Sequence, residues 1–330
     1  MAAEQLLSVK DLRVNFHTLR GVVHALQGVS FHINRQETLG LVGETGCGKS
    51  VTARAVLRLV VAPGEIAGGE VHFEGRNLLG LTEVEMRTLR GSQISMIMQE
   101  PKMSLNPVIR VGRQVGETLR IHDPSMSKKI AAQQAVDMLA QLGIPDPKRV
   151  ARRYPHELSG GMAQRIMIAM MLVTRPKLLI ADEPTSALDV TIQAQILELM
   201  SKLIQEIQTS VLMITHDLGV MAESCDRVAV MYAGQIVEIG PVRDVLKDPR
   251  HPYTQGLLKT LPDKAHPDEP LYSIKGAVPT LLSAHKACGF APRCAHRFKP
   301  CDETPPPMHA LGNGRRAACY LLGDYAGVPG

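Results

Sequence analysis

The sequence contains no tryptophan, and aromatic residues make up only 3% of the chain. Proteins commonly bind single-stranded nucleic acid by stacking bases on aromatic side chains, so this scarcity disfavours nucleic acid as a partner. The chain also lacks a continuous apolar run of about 18 residues, the length that a membrane-spanning helix needs. We therefore expect neither a nucleic-acid partner nor a transmembrane helix.

Residues 1–10 have neither the basic start nor the apolar stretch of a secretory signal, so we expect a cytosolic chain. An apolar content of 45% over 330 residues is enough for a packed core. The length suggests one large domain with an appended region. The net charge of +5 leaves two interpretations open, an anionic partner or a surface with slightly more Lys and Arg.

Apolar periodicity predicts strands that alternate with helices. Residues 6–40 predict antiparallel strands, and residues 228–239, interrupted at Ala233-Gly234, predict a β-hairpin. Buried strands are predicted at residues 38–42, 94–98, 178–181 and 211–215, and helices at residues 50–60, 130–142, 162–173 and 190–207. This alternation indicates an α/β fold with a mostly parallel sheet.

Residues 43–50, Gly-Glu-Thr-Gly-Cys-Gly-Lys-Ser, fit the phosphate-loop pattern G-x-x-x-x-G-K-[ST] between a predicted strand and a predicted helix. Glycines let the backbone curl so that its N–H groups point at phosphate oxygens, and the helix start adds its positive dipole end. Lys49 neutralises phosphate charge, and the Ser50 hydroxyl ligates Mg²⁺. The predicted nucleotide-binding residues here are Gly43, Glu44, Thr45, Gly46, Cys47, Gly48, Lys49, Ser50 and Thr52.

Polar side chains follow three of the predicted strands. Asp182 and Glu183 end the strand predicted at 178–181, where ligands bind in open α/β sheets. We predict that Asp182 holds Mg²⁺ and that Glu183 is the general base for the attacking water. Gln99 is predicted to reach the metal or the water, and His216 the γ-phosphate.

A second anion-binding helix start is predicted at residues 158–164, Leu-Ser-Gly-Gly-Met-Ala-Gln. Ser159, Gly160 and Gly161 expose backbone N–H groups at the start of the helix, without a lysine of their own. Two phosphate-directed helix starts on one chain are explained if the second faces the nucleotide of a neighbouring subunit.

In order and spacing these motifs resemble the ABC transporter ATPases over about residues 6–240. Residues 43–50 resemble Walker A and 178–182 Walker B, while 158–164 resemble the signature and 186–189 the D-loop. Gln99 and His216 match the Q-loop and the H-loop. The resemblance implies ATP and Mg²⁺ as ligands, and a head-to-tail dimer with two ATP molecules between its subunits.

The same resemblance implies that Phe16 stacks on the adenine ring and that Gln164 and Asp189 belong to the nucleotide site. It also implies an ABC-type P-loop ATPase fold with a mixed core sheet, an antiparallel β subdomain and a helical subdomain. We expect the ATPase domain at residues 1–240, with its helical subdomain at about 101–158. Residues 241–330, which are rich in proline and contain four cysteines, are expected to form a C-terminal extension.

Residues 249–258, Pro-Arg-His-Pro-Tyr-Thr-Gln-Gly-Leu-Leu, resemble the tail of the oligopeptide/dipeptide (peptide/nickel) importer subgroup. Residues 104–107, 165–170 and 276–279 fit the same subgroup, and the Gly-Met-Ala-Gln signature resembles the first of its two ATPases. The resemblance implies a second homologous ATPase, two membrane permeases and an extracytoplasmic solute-binding protein as partners. It places the chain peripherally on the cytoplasmic face of the cell membrane.

Four tail cysteines, Cys288, Cys294, Cys301 and Cys319, have the spacing C-x5-C-x6-C-x17-C. Four thiolates suit Zn²⁺ or an iron–sulfur cluster, and the spacing alone does not distinguish these from free or oxidised thiols. Resemblance to subgroup members that carry a [4Fe–4S] cluster favours the cluster, in a structural role.

Three alternatives remain at this stage. One is a nickel importer ATPase of the same subgroup. Another is a soluble ABC ATPase without a transport role, which usually has two cassettes or a coiled-coil insertion. The third is a redox-sensing module with a degenerate ATPase, which the intact Lys49, Asp182 and Glu183 argue against.

Overall fold

The structure is a computed structural model that describes residues 4–98, 104–185, 189–260, 272–279 and 281–323. Its strands are β1 (Gln5–Thr18), β2 (Gly21–Asn34), β3 (Thr38–Val42), β4 (Gly64–Phe73), β5 (Arg76–Asn77), β6 (Ile94–Ile97), β7 (Leu178–Asp182), β8 (Ser210–Ile214), β9 (Arg227–Tyr232), β10 (Gln235–Pro241), β11 (Met308–Ala310) and β12 (Arg316–Ala318).

The α-helices are α1 (Lys49–Val56), α2 (Glu83–Leu89), α3 (Val111–His122), α4 (Lys128–Gln141), α5 (Pro147–Val150), α6 (Gly160–Leu172), α7 (Val190–Ile207), α8 (Leu218–Ser224), α9 (Val242–Lys247), α10 (Pro252–Lys259) and α11 (Pro300–Glu303). Short 3-10 turns lie at Leu78–Gly80, Pro155–Glu157, Ala291–Arg293 and Tyr320–Leu322. Among these described helices, none combines the length and the apolar character that crossing a bilayer requires.

The chain divides into two compact units. Unit 1 contains Met1–Leu6, Ile33–Thr38 and Gly80–Ile214, and unit 2 contains Leu7–His32, Leu39–Leu79 and Thr215–Gly330. The boundary predicted near residue 240 lies inside unit 2. That boundary, like the limits of the predicted helical subdomain, stays a prediction.

Unit 1 contains the parallel strands β8, β7 and β6, which pair in that order. Strand β7 is buried along its whole length, as expected for a strand with apolar residues on both faces. Helices α3, α4 and α5 lie in the segment where the helical subdomain was predicted. The Ser127 hydroxyl accepts a hydrogen bond from the Ile130 N–H, so α4 starts slightly before the predicted residue 130.

Unit 2 contains most of a four-stranded sheet in the order β2-β1-β4-β5, in which β4 is antiparallel to both β1 and β5. The predicted hairpin is confirmed, because β9 and β10 pair antiparallel around Ala233-Gly234. Strand β3 lies parallel to β9, and β12 and β11 extend the sheet from β10. Residues after 240 therefore add strands to the sheet that carries the hairpin.

One predicted helix is shorter than expected. The pattern predicted a helix over residues 50–60, but α1 ends at Val56. Arg58 has a left-handed backbone with φ 53°, and its N–H donates to the Ala55 carbonyl oxygen. The apolar spacing continues past the helix end, and no Gly or Pro marks this turn, so the pattern alone could not locate it.

A buried carboxylate connects the tail to β10. Glu238 is fully buried, and one of its carboxylate oxygens lies 2.8 Å from Arg315 Nη2. The backbone N–H groups of Arg250 and His251 also donate to this carboxylate, at 3.0 and 2.9 Å. Three charge-assisted hydrogen bonds thus hold two tail segments against one strand.

We predict that Glu238→Ala lowers the free energy of unfolding by roughly 3–5 kcal/mol, because it removes the closer carboxylate partner of the buried Arg315 and leaves the N–H groups of Arg250 and His251 without their acceptor. Urea unfolding followed by circular dichroism measures the change. Lys202→Ala, which removes an exposed ion pair with Glu198, is the control and should change stability far less. If Glu238→Ala and Lys202→Ala changed the free energy of unfolding equally, the buried Glu238 carboxylate would not stabilise the tail as described.

Candidate nucleotide site

The phosphate loop, residues 43–48, connects β3 to α1 as predicted. Gly48 caps α1 with φ 111°, a left-handed conformation that favours glycine. At Gly43 a Cβ atom would collide with the backbone carbonyl of Met231 in β9. The loop can therefore lie directly against β9 only because glycine occupies position 43. Thr45 and Gly46 are exposed at the tip of the loop.

Lys49 is buried, and its Nζ donates to the carbonyl oxygens of Gly43 at 2.7 Å and Glu44 at 3.0 Å. The ammonium group therefore lies inside the curl of the loop, where its charge can meet phosphate oxygens. Cys47 is also buried, and burial raises the pKa of its thiol against the opposing effect of Lys49. Cys47 is thus a neutral space-filling side chain in this loop.

The two hydroxyl side chains after Lys49 differ in exposure. Ser50 is half-buried at the start of α1, in the position predicted for a Mg²⁺ ligand. Thr52 is fully buried and donates to the Gly48 carbonyl oxygen at 3.0 Å. The structure therefore directs the Thr52 hydroxyl into its own helix, and its predicted nucleotide contact stays a prediction.

Two residues of the tail contact the phosphate loop, and sequence analysis missed both. The Tyr253 hydroxyl accepts a hydrogen bond from the Glu44 N–H at 2.9 Å. Arg293 Nη1 and Nη2 donate to the Glu44 carboxylate at 2.6 and 3.1 Å. Tyr253 lies in the motif at residues 249–258, for which the sequence analysis gave a family resemblance but no function. Arg293 directly precedes Cys294. No local signal indicated that either would reach the loop.

An aromatic cluster supports the Tyr253 hydroxyl. Tyr253 packs on Tyr232 and Phe290, with ring centroids 4.6 and 5.4 Å away. The His251 Nδ1 accepts a hydrogen bond from the Tyr253 N–H at 3.0 Å, which caps α10. Burial lowers the pKa of His251 to about 3, so its imidazole is neutral and can accept this bond. The His-Pro-Tyr sequence thereby fixes the direction of α10.

The predicted acids lie in unit 1. Asp182 is buried at the end of β7, opposite Ile214 of β8. Glu183 is half-buried with φ 49°, and its N–H donates to the Ile214 carbonyl oxygen at 2.9 Å. His216 follows β8 and is exposed. Gln99 lies outside the described residues, so the roles assigned to these four residues stay predictions.

Ser159 caps α6 and is exposed, and its hydroxyl accepts a hydrogen bond from the Met162 N–H at 3.4 Å. Gly160 and Gly161 form the first turn of α6, as the predicted anion-binding helix start requires. Helix α6 contains 13 residues, long enough to present a dipole at this start. The helix begins at the predicted place, and its binding role stays a prediction.

Gln164 is almost completely buried, and its Nε2 donates to the Pro184 carbonyl oxygen. This bond connects α6 to the segment just after Glu183, so Gln164 acts as a structural tie in unit 1. Asp189 is exposed at the start of α7, while D-loop residues 186–188 lie outside the described residues. Nucleotide contacts of Gln164 and Asp189 stay predictions.

Phe16 lies on β1 opposite Gly64 of β4 and is half-buried. A Cβ atom at Gly64 would come within 2.6 Å of the Phe16 ring, so the ring lies across the glycine. The ring is partly exposed, and its stacking on adenine stays a prediction.

All four tail cysteines line one small cavity, together with His251 and His296. None of the four forms a disulfide bond. Burial raises the pKa of Cys288 to about 11 and that of Cys319 to about 12, so both thiols stay protonated without a cation nearby. In the part of the chain that the structure describes, no group of three or more His, Cys, Asp or Glu side chains is arranged to hold a metal ion. Thiols are the ligand type that an iron–sulfur cluster uses, but the described arrangement does not form such a site, and the cluster stays a prediction.

Two families match the chain. The family described as "ABC transporter" matches residues 26–186, and the one described as "Oligopeptide/dipeptide transporter, C-terminal region" matches residues 237–301. The chain is 50% identical to the oligopeptide transport ATP-binding protein OppD of Bacillus subtilis, over 96% of this chain and 89% of that protein. It is 47% identical to the dipeptide transport ATP-binding protein DppD of the same species, over 96% of this chain and 95% of that protein.

A solved structure shows the same fold. The ATP-binding cassette MJ0796, a dimer in a post-hydrolysis state bound to ADP and Pi, has a TM-score of 0.65 and 26% identity. The match covers 72% of this chain and 99% of that one.

We predict that Lys49→Ala raises the Kd for Mg-ATP roughly 10- to 100-fold, the range expected when a hydrogen bond from a charged group is lost. Isothermal titration calorimetry on the full-length chain measures this. Lys202→Ala removes an equal charge from exposed α7 and should leave the Kd unchanged. If Lys49→Ala bound ATP like the wild type, the phosphate-loop assignment would be wrong.

Proposed function

Because the chain belongs to the family of ABC transporter ATP-binding subunits that serve oligopeptide and dipeptide import, we infer that it binds and hydrolyses ATP to drive peptide uptake. The observation that carries this inference is a complete phosphate loop with Lys49 in its curl, on a chain that also matches the oligopeptide/dipeptide tail region. The relatives named above are peptide-transport proteins. Neither the nickel importer nor the soluble ATPase is favoured by these relatives.

We assign the predicted site residues to distinct parts of a phosphoryl-transfer site. Loop N–H groups, the start of α1 and Lys49 bind the triphosphate, and Phe16 stacks on the adenine. Ser50 and Asp182 are the proposed ligands for Mg²⁺, with Gln99 as a third. The bound ion neutralises charge on the β- and γ-phosphates.

Glu183 takes the proton of the attacking water, and His216 holds the γ-phosphate. The left-handed backbone at Glu183 turns the chain sharply after β7, so the Glu183 side chain leaves the line of the strand. Gln164 anchors the segment that follows Glu183, which limits its movement. These contacts support a positioned base at the end of β7.

A second subunit completes the site. At the start of α6, Ser159 is exposed and Gly160 and Gly161 are half-buried, and we assign these residues to the triphosphate bound by a homologous ATPase subunit. Similarity to a dimeric cassette supports this arrangement. Opening and closing of the dimer would drive two permeases, which receive peptides from an extracytoplasmic binding protein, with this chain on the cytoplasmic membrane face.

We also propose that Cys288, Cys294, Cys301 and Cys319 hold a [4Fe–4S] cluster. The support is the convergence of all four thiols on one cavity. When bound, the cluster supplies a covalent cross-link among tail segments that contain few regular elements.

We predict that Glu183→Gln retains ATP binding while the hydrolysis rate of the assembled transporter falls by roughly 10²- to 10⁴-fold, because the water loses its base. Phosphate release measures the rate, and calorimetry measures binding. Glu198→Gln, an exposed carboxylate change on α7, is the control. Turnover at the wild-type rate in Glu183→Gln would remove Glu183 from this role.

We predict that Cys294→Ser lowers the iron content and the visible absorbance of anaerobically purified protein, whereas Cys225→Ser, outside the cavity, leaves both unchanged. Iron and zinc are measured by elemental analysis. If the wild type contains stoichiometric zinc and no iron, the four cysteines form a zinc site and the cluster proposal is wrong. Wild-type protein without either metal would leave free thiols and end the proposal.

A further inference from the structure

The phosphate loop contains a carboxylate of its own. Glu44 is the second residue of the loop, and its side chain is 26% exposed. A negative charge beside bound phosphates repels them, more strongly as water is excluded from the site. A loop that binds a triphosphate therefore needs this charge neutralised.

Arg293 provides that neutralisation from the tail. Its side chain is 4% exposed, and its guanidinium donates to both oxygens of the Glu44 carboxylate, at 2.6 and 3.1 Å. Such a two-point arginine–carboxylate pair has a defined direction as well as complementary charge. A hydrogen bond with the Glu44 carboxylate raises the pKa of Arg293 above its usual value, so the guanidinium stays charged.

The guanidinium is itself held in place. Arg293 Nε donates to the Lys275 carbonyl oxygen at 3.0 Å, and Nη2 donates to the Ile274 carbonyl oxygen at 3.1 Å. The guanidinium carbon also lies 5.8 Å from the Tyr232 ring centroid, a cation–π contact. These contacts hold the guanidinium in place independently of Glu44. Arg293 can therefore limit the movement of the phosphate loop through its pair with Glu44.

Glu44 is fixed at three groups. Its N–H donates to the Tyr253 hydroxyl at 2.9 Å, and its carboxylate pairs with Arg293. Its carbonyl oxygen accepts from Lys49 Nζ at 3.0 Å. A shift of the Arg293 pair would therefore move a residue that the phosphate-binding lysine contacts directly.

We propose that Arg293 is a positioning residue for ATP binding, which neutralises Glu44 and holds the phosphate loop in the curl that accepts the triphosphate. This inference rests on the proposed ATPase function. Arg293 directly precedes Cys294 and lies in the 3-10 turn Ala291–Arg293. Docking of the cysteine-bearing tail and binding of ATP are therefore linked, and by reciprocity ATP stabilises the docked tail.

The test is the Kd for Mg-ATP of full-length variants, measured by isothermal titration calorimetry. Arg293→Met should raise the Kd about 10-fold or more, because it leaves Glu44 unpaired beside the phosphates. Arg297→Met removes another ion-paired arginine of the same tail, bound to Asp302 at 2.8 Å, and should leave the Kd unchanged. Arg293→Lys keeps the charge without the two-point geometry and should lie between the wild type and Arg293→Met.

A second substitution separates charge neutralisation from general support of the fold. In Arg293→Met/Glu44→Gln the unpaired carboxylate is gone but the contact that holds the loop is still lost, so the Kd should lie below that of Arg293→Met and above that of the wild type. A purely structural role predicts that the double variant binds no better than Arg293→Met, and that result would overturn the proposal. Circular dichroism melts identify a variant that fails to fold. If Arg293→Met does not fold, Arg293→Lys and the double variant carry the test. Both should then have a Kd for Mg-ATP less than about 10-fold above that of the wild type. A Kd of the double variant further above the wild type than this would overturn the proposal.

Kinetics provide an independent readout. In the assembled transporter Arg293→Met should raise the KM for ATP and leave kcat nearly unchanged, because Arg293 contacts the loop and not the reacting atoms. A fall in kcat at unchanged KM would overturn the proposal. If the wild-type chain itself binds no ATP, the proposed function fails. If the wild type and Arg293→Met bind ATP equally, only the role of Arg293 fails.

Discussion

Binding a triphosphate requires positive charge and N–H donors gathered at one point, and here that point is the turn between β3 and α1. The turn has room for phosphates because glycine at position 43 lets the loop lie against β9 and glycine at position 48 lets α1 begin from a left-handed residue. Lys49 is held inside by two loop carbonyls. The proposed ATPase function depends on this curl, since it is the part of the chain that binds the triphosphate in that proposal.

The tail supports the curl from outside. Tyr253 and Arg293 reach the same loop residue, one at its backbone and one at its side chain. The aromatic cluster around Tyr232 and the buried carboxylate of Glu238 keep these tail segments against β9 and β10. The tail of this chain therefore contacts the phosphate loop directly.

Unit 1 contributes a different kind of constraint. Its parallel strand β7 ends at Asp182, and the neighbouring β8 ends two residues before His216. Parallel sheets bind ligands at the carboxyl ends of their strands. Gln164 ties α6 to the segment behind Glu183, so the start of α6 and the proposed base are mechanically connected. This contact links the two parts of unit 1 to which the proposal assigns a partner-facing role and the general base.

The sequence by itself determined the phosphate loop, the hairpin and most strands, because each follows from a pattern within about 20 residues. The family followed from the order and spacing of several such motifs along the chain. The predicted end of α1 was wrong, because the turn at Arg58 contains no Gly or Pro that would indicate the end of a helix. Only the tertiary structure placed Tyr253 and Arg293 on Glu44, across 209 and 249 residues of chain. Contacts over such separations depend on how the tail docks, and no local pattern of residues records that packing.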